Sequence, residues 1–329
     1  MKLPRRQFLQ LAASAAAMPA LSHVASAQAY PSRPITLIAP WPAGGAIDVL
    51  CRAIAPGLSD RLGKPVVIDN RPGAASLIGT TAGVRATPDG HTLTMGGSGS
   101  LAIAVTLHTT LAYDPTKDIV PIALAGRIPF VLVVNPSLPV QSLADLIKYA
   151  KNNPGKLSYG SGGPGSLHHL FAELFMMMAG IEMMHVPYKG NAPALTDVIA
   201  GHIPLMFSDT ASLPMIQAGE VRALGVSSAV RLPSAPDIPP LAEGGLPEFD
   251  VAGWAMIIAP AGTPDEVANK VHTTFRAVEA LPEVQQQVIK LGMLPGNSPP
   301  RDQLPAFISS EIERWRKVVT QAGLAGSQH

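Results

Sequence analysis

Cysteine is nearly absent: Cys51 is the only one in 329 residues. No intrachain disulfide can form, so the fold must rest on a sizeable apolar core. Charge is sparse and balanced, with 24 basic against 23 acidic residues. That excludes the strong positive excess of a nucleic-acid binder. Beyond the N-terminal segment, no apolar run approaches the length of a membrane-spanning helix. There is no fixed-period repeat and no low-complexity tract. G-x-S-x-G is missing, because Ser100 stands where Ser98 would need the closing glycine, which argues against a serine hydrolase. H-E-x-x-H is missing too. His169 and Glu173 are spaced to share a helix face but lack a third metal ligand. A helix-start histidine bonded to nearby backbone is the plainer reading, although one of His168 and His169 is a candidate to face a ligand.

The first 29 residues read as an export signal. Lys2, Arg5 and Arg6 precede a mildly apolar, Ala-rich run from Phe8 to Leu21, and Ala25-Ser-Ala27 and Ala27-Gln-Ala29 offer cleavage sites near Ala27 or Ala29. Arg5-Arg6-Gln-Phe-Leu resembles a twin-arginine signal; an ordinary Sec signal carrying two arginines is the alternative. No cysteine follows the apolar run, so a lipoprotein anchor is not expected. Three of the 24 basic residues and none of the 23 acids lie in this segment, which leaves 21 against 23, a net charge of −2. The roughly 300 remaining residues divide best into two domains.

Strand-like and helix-like segments then alternate. Ile35–Ala39, Pro65–Asp69, Thr92–Met95, Phe130–Asn135, Leu157–Tyr159, His185–Tyr188, Leu205–Ser208, Ala223–Ser227 and Trp254–Ala259 read as strands. Helical patterns include Ser142–Asn152, Leu167–Ala179, Ala192–Ala200, Pro264–Leu281 and Arg301–Ala322. This is an α/β pattern with mainly parallel sheets flanked by helices. Ser142, Thr263 and Gly180 supply cap signals. Pro56-Gly57 predicts that the helix opening at Ala46 kinks or ends there and resumes at Leu58.

Glycine-rich turns follow several strands. Pro40-Trp-Pro-Ala-Gly-Gly-Ala-Ile-Asp48 joins a buried strand to a helix and leaves backbone N–H groups uncovered at the helix start, where the dipole favours an anion. Asp69-Asn-Arg-Pro-Gly-Ala-Ala-Ser-Leu-Ile-Gly79, Met95-Gly-Gly-Ser-Gly-Ser100 and Tyr159-Gly-Ser-Gly-Gly-Pro-Gly-Ser166 repeat the arrangement. Loops of this kind collect at the carboxyl ends of strands, and here they point to one cleft between two domains. Gly160, Gly162 and Gly165 satisfy G-x-G-x-x-G. However, the next strand ends His185-Val-Pro-Tyr-Lys189, with a lysine where a dinucleotide site needs an acid. Export argues further against a nicotinamide enzyme. Met176-Met-Met178 and Met183-Met184 are most simply core filler near the seam.

These motifs, joined by Met184-His-Val-Pro-Tyr-Lys-Gly190, Gly253-Trp254 and Ala259-Pro-Ala-Gly-Thr-Pro264, run in order along the whole mature chain. In that order they resemble the Bug receptors, periplasmic solute-binding proteins of the tripartite tricarboxylate transporter class. The resemblance implies a two-lobed, Venus-flytrap binding protein of type II that closes on a small organic anion. It places residues 30–127 with 252–329 in one lobe and 128–251 in the other, with a hinge at the two crossings. It also implies that the Trp41 loop and the second-lobe Gly-Ser loop grip carboxylates largely through backbone N–H groups. Carried over, the ligand-binding residues are Trp41, Pro42, Ala43, Gly44, Gly45 and Asp48 on one side. Ser161, Gly163, Gly165, Ser166 and His169 lie on the other. Asp48 is expected to orient its loop, Tyr188 and Lys189 to line the rim, and Asp209 to meet a ligand amine if there is one. Trp41 stands where Phe or Tyr is commoner, and Ala75-Ser76 replaces a glycine-rich continuation, which puts backbone approach there in doubt. The implied partners are the organic anion and membrane transporter subunits. The chain is read as a monomer in the periplasm, with no cofactor, metal or catalysis. A receptor for an uncharged or aromatic solute, a sensory protein without a transporter, and remotely a nucleotide-dependent enzyme are the alternatives.

Overall fold

A computed structural model describes residues 30–328; the expected export signal and its cleavage sites lie outside the described residues. The apolar run Ile35–Ala39 forms strand β1, buried everywhere except at Thr36. Helix α1 (Ala46–Leu62) follows, and its Ile47, Leu50, Cys51, Ile54, Leu58 and Leu62 recur at helical spacing on the buried face. Strand β2 (Val66–Asn70), helix α2 (Leu77–Val84) and strand β3 (Thr92–Gly97) come next, then β4 (Ile119–Ile128). The chain crosses to a second sheet at β5 (Val131–Val134). That sheet is completed by β6 (Ser158–Ser161), β7 (Met184–Pro187), β8 (Leu205–Ser208) and β9 (Arg222–Val226). Between its strands lie α3 (Leu143–Asn152), α4 (Leu167–Ala179) and α5 (Asn191–Ala200). The return strand β10 (Gly253–Pro260) leads to α6 (Asp265–Glu279), α7 (Pro282–Lys290), β11 (Leu294–Pro295) and α8 (Leu304–Gln321).

The result is a two-lobed α/β fold. One sheet has the order β11-β4-β10-β3-β1-β2 and the other β7-β6-β8-β5-β9. The expectation of mainly parallel sheets needs correction, because both are mixed. β1 pairs in parallel with β2 and β3, as β6 does with β7 and β8. β10 runs antiparallel to β3 and β4, β11 to β4, and β5 to β8 and β9. β5 and β10 are the strands on which the chain changes sheets. Neither follows its neighbour through a βαβ crossover, so nothing holds it to parallel pairing.

Three local expectations also change. β4 and the short β11 go beyond the strands legible in the sequence. Pro121 breaks the strand signature of β4, and it is accommodated where β10 shifts register between Ile257 and Ile258, a bulge site that tolerates a missing N–H. α1 runs unbroken through Pro56, which sits on the exposed side of the helix, so the backbone acceptor it releases need not be buried. Thr263 does not cap α6. Its hydroxyl donates to the Pro260 carbonyl at 2.8 Å, and the helix begins at Asp265 behind Pro264. Ser142 does cap α3 by accepting from the Asp145 N–H, and Gly180 closes α4 in the left-handed region at φ 63.

Two of the features that join the lobes are a buried serine and a helix. At the crossings, the fully buried Ser227 accepts from the Phe130 N–H at 2.9 Å and donates to the Val251 carbonyl at 2.7 Å. It thereby ties the outgoing and returning segments together. Helix α8 spans the seam: Phe307 meets Trp254 edge-on at 5.3 Å, and Trp315 lies 5.8 Å from Phe171 of α4, both between ring centroids.

Candidate functional site

The ends of β1, β2, β3 and β6 open onto one cavity of about 410 Å³ between the lobes. Trp41 and Pro42 line it from the first loop, and Gly73, Ala75 and Ser76 from the second. Gly97, Ser98 and Gly99 add a third wall, and Gly165, Ser166 and Leu167 come from the other lobe. Ile47, Ile103, Ile128 and Trp254 supply apolar surface, and none of the lining residues ionises.

The first loop is held from behind. Gly44 takes φ +83, which glycine adopts at little cost, and its N–H donates to Asp48 Oδ2 at 2.8 Å. The same carboxylate accepts from Arg52 Nε at 2.9 Å and from Asn70 Nδ2 at 2.8 Å, while Asn70 also reaches the Trp41 carbonyl at 3.1 Å. Asp48 is 1% exposed. The Arg52 hydrogen bond, followed by those from Gly44 and Asn70, outweighs burial and holds its carboxyl down at about 2. The Gly45 N–H is used by the Pro42 carbonyl at 3.2 Å, and no side chain caps α1. Its first-turn N–H groups therefore face the cleft end of the helix. The Trp41 indole fits because Gly97 has no side chain: a Cβ there would lie 3.3 Å from Trp41 Cη2.

The second-lobe loop is built on a buried polar stack. The Gly163 N–H donates to Ser161 Oγ at 3.0 Å, and Ser166 Oγ donates to the Gly163 carbonyl at 2.7 Å while capping the His169 N–H. The Gly165 N–H donates to His169 Nδ1 at 3.2 Å. The proton of the neutral imidazole then sits on Nε2, facing Glu173 at 3.4 Å. His185 stacks on His169 at 3.8 Å with the planes 8° apart, and its Nε2 lies 2.6 Å from Ser161 Oγ. Burial, then the neighbouring His169, push His185 from 6.5 down to about 4, with Glu173 pulling the other way. The unfolded chain therefore takes up this proton first. Stability contributed by His185 is full above pH 6.5 and is lost as pH falls towards 4. A urea midpoint series over that range is expected to decline for the wild type and to flatten for His185→Gln. Equal slopes in the two proteins would remove His185 from this role.

Trp41, Pro42, Gly165 and Ser166 thus meet on one cavity, with Ala43, Gly44 and Gly45 in the loop behind it. Asp48, Ser161 and His169 brace the two loops from beneath, and Gly163 closes the second. Tyr188 and Lys189 do not line the cavity. The Tyr188 hydroxyl donates to Asp197 at 2.6 Å, which pushes it up to about 12, and Lys189 is exposed. Asp209 lines a separate cavity of about 440 Å³ that shares Ile47 and Ile128 with the first. Ser76, Ser98, Ile103, Ile128 and Leu167 were not expected as lining. Ser76 and Ser98 at least lie in glycine-bearing turns after strands, a usable signal; Ile128 ends the strand that Pro121 obscures. Among the described residues no cluster of three or more His, Cys, Asp or Glu is placed to hold a metal.

The family model of the tripartite tricarboxylate transporter family receptor matches residues 50–324. The chain is similar to the protein BugT of Bordetella pertussis, 37% identical over 300 residues, or 91% of this chain and 92% of that one. Among solved structures it is similar to an R. palustris protein with adipate, at 38% identity and TM-score 0.75, covering 90% of this chain and 99% of that one. It is also similar to MatC from Rhodopseudomonas palustris with bound malate, at 31% identity and TM-score 0.70, covering 88% and 100%.

Proposed function

Because this chain belongs to the tripartite tricarboxylate transporter receptor family, a family of periplasmic solute receptors and not of enzymes, we propose that it binds a small organic carboxylate. In this reading the ligand sits in the interlobe cavity and is passed to a transporter of the tripartite tricarboxylate type. One observation carries it. Glycine-bearing loops of both lobes end in helix N-termini on a single cavity whose lining holds no ionisable side chain. Such a site holds an anion through oriented N–H groups, and closure strengthens them by excluding water. The adipate and malate bound by two similar proteins support the same class. The segments near residues 128 and 252 act as the hinge, and ligand shifts the population towards the closed state.

Isothermal titration of the purified protein against mono-, di- and tricarboxylates, acidic amino acids and aromatic acids tests this. Saturable one-to-one binding without product is expected, with a rise in melting temperature. Failure of every organic anion to bind sinks the proposal. Closure has its own check where the lobes touch. Thr210 Oγ1 donates to the Leu291 carbonyl at 3.3 Å, and a Cβ on the neighbouring Gly292 would fall 2.2 Å from Thr210 Oγ1. Gly292→Ala is expected to weaken binding by roughly 5- to 20-fold (about 1–2 kcal/mol) by holding the lobes apart. An unchanged dissociation constant in that variant argues against closure at this contact.

A further inference from the structure

Ser76 and Ser98 lie on the loops that follow β2 and β3, and both line the interlobe cavity. Ser76 is 6% exposed and Ser98 2%. Neither hydroxyl caps the helical turn it begins, and neither has a hydrogen-bond partner among the described residues. Neither oxygen is among the shielded, unpartnered polar atoms of the interior, so both hydroxyls open onto the cavity and are free to donate to a ligand there. The serines of the opposite lobe differ. Ser161 and Ser166 spend their hydroxyls within their own lobe, on His185 of β7 and on the Gly163 carbonyl.

The rest of the lining holds no carboxylate to pair with a cation. Trp41, Ile103, Ile128 and Leu167 are apolar there, and Trp254 turns its N–H away to Glu311 at 2.8 Å. The Asp48 carboxylate is occupied behind the loop by Gly44, Arg52 and Asn70. Asp209 belongs to the other cavity and accepts from Asn191 and from the Ala211 N–H. An ammonium group carried into this cavity would lose its water without gaining a carboxylate, whereas a carboxylate finds hydroxyl and N–H donors.

We infer that Ser76 and Ser98 are the side-chain donors to the ligand's carboxylate, and that the cleft selects organic acids lacking an amino group, their apolar body packed on Trp41 and the isoleucines. The inference rests on the carboxylate reading above. Titrations with benzoate, hexanoate, adipate, malate, glutamate and aspartate separate the two. At least one unaminated acid is expected to bind tenfold more tightly than either amino acid. Glutamate or aspartate binding as tightly as the best of the others overturns the inference and leaves the carboxylate reading standing, while silence from these six and from the whole wider panel above overturns both. A Ser76→Ala/Ser98→Ala double variant, titrated with the best binder, is expected to lose 10- to 100-fold in affinity. Its unliganded melting temperature should not fall, since no protein hydrogen bond is removed. Retained affinity in that variant also overturns the assignment.

Discussion

Asp48→Ala is expected to lower stability by about 3 kcal/mol, a fall of roughly 5–10 °C in melting temperature, and to weaken ligand binding at least tenfold. The carboxylate is nearly inaccessible and collects a backbone N–H, a guanidinium and an amide. Its removal strands the Gly44 N–H and one arm of Asn70, the residue that also holds the Trp41 carbonyl. Arg52 counts for less, because its side chain is 53% exposed and water replaces its partner. The acid limb supplies a second signature. The carboxyl is held at about 2 against an ordinary 3.8, so its stabilisation is present above pH 3.8 and disappears as pH falls to about 2. The stability gap between wild type and Asp48→Ala should therefore narrow across that window, below the one assigned to His185. A gap independent of pH would mean that the carboxylate's charge is not what holds the loop.

Much of this network is legible in the sequence alone. The apolar run into Trp41–Gly45, the acid at Asp48 and the Gly-Ser turn at Gly163–Ser166 are local patterns, and local chemistry fixes what such turns do. What is not legible depends on distance in the chain. Arg52 and Asn70 gain their role only when α1 and β2 lie side by side, and Ser98 reads as one serine in a glycine-rich turn until the fold brings it to the same cavity as Ser76. β4 stays hidden because Pro121 is tolerated only opposite an irregularity of β10, far away in sequence. The His169–His185 stack needs α4 laid over the sheet edge. Tyr188 is missing from the cavity for a similar reason: Asp197, on the helix α5 that follows it, takes its hydroxyl.

The second loop shows the reverse case, a backbone that sequence preference argues against. Ala74, Ala75 and Ser76 follow Gly73 with φ of 45, 50 and 76, a left-handed run that costs about 1 kcal/mol at each non-glycine residue. Ala75 and Ser76, where the glycine-rich continuation is replaced, both line the cavity and hold the positive φ at which glycine would be at ease. The surrounding fold over-determines the loop, as strained segments at binding sites require. The Arg71 N–H on the Ala39 carbonyl at 3.0 Å anchors its start, and Leu77 opens α2 at its end.

Gly44→Val is expected to reduce affinity more than 100-fold, the largest effect of any single loop change. No atom lies within 4 Å of where a Cβ would stand, so the loss does not come from a clash. It comes from the backbone: φ +83 is a genuine outlier for a β-branched residue. Relaxing φ swings the Gly44 N–H off Asp48 and turns the first N–H groups of α1 away from the cavity. Gly63 provides the control, since it closes the same helix at φ +74 with equally open space around its Cβ position. Gly63→Val carries the same strain at the far end of α1. It should cost a similar few degrees of melting temperature while leaving the dissociation constant within about twofold. If both variants lose affinity alike, general destabilisation explains the effect and the loop is not the grip. If only Gly44→Val does, the geometry of one glycine at the head of α1 accounts for the binding.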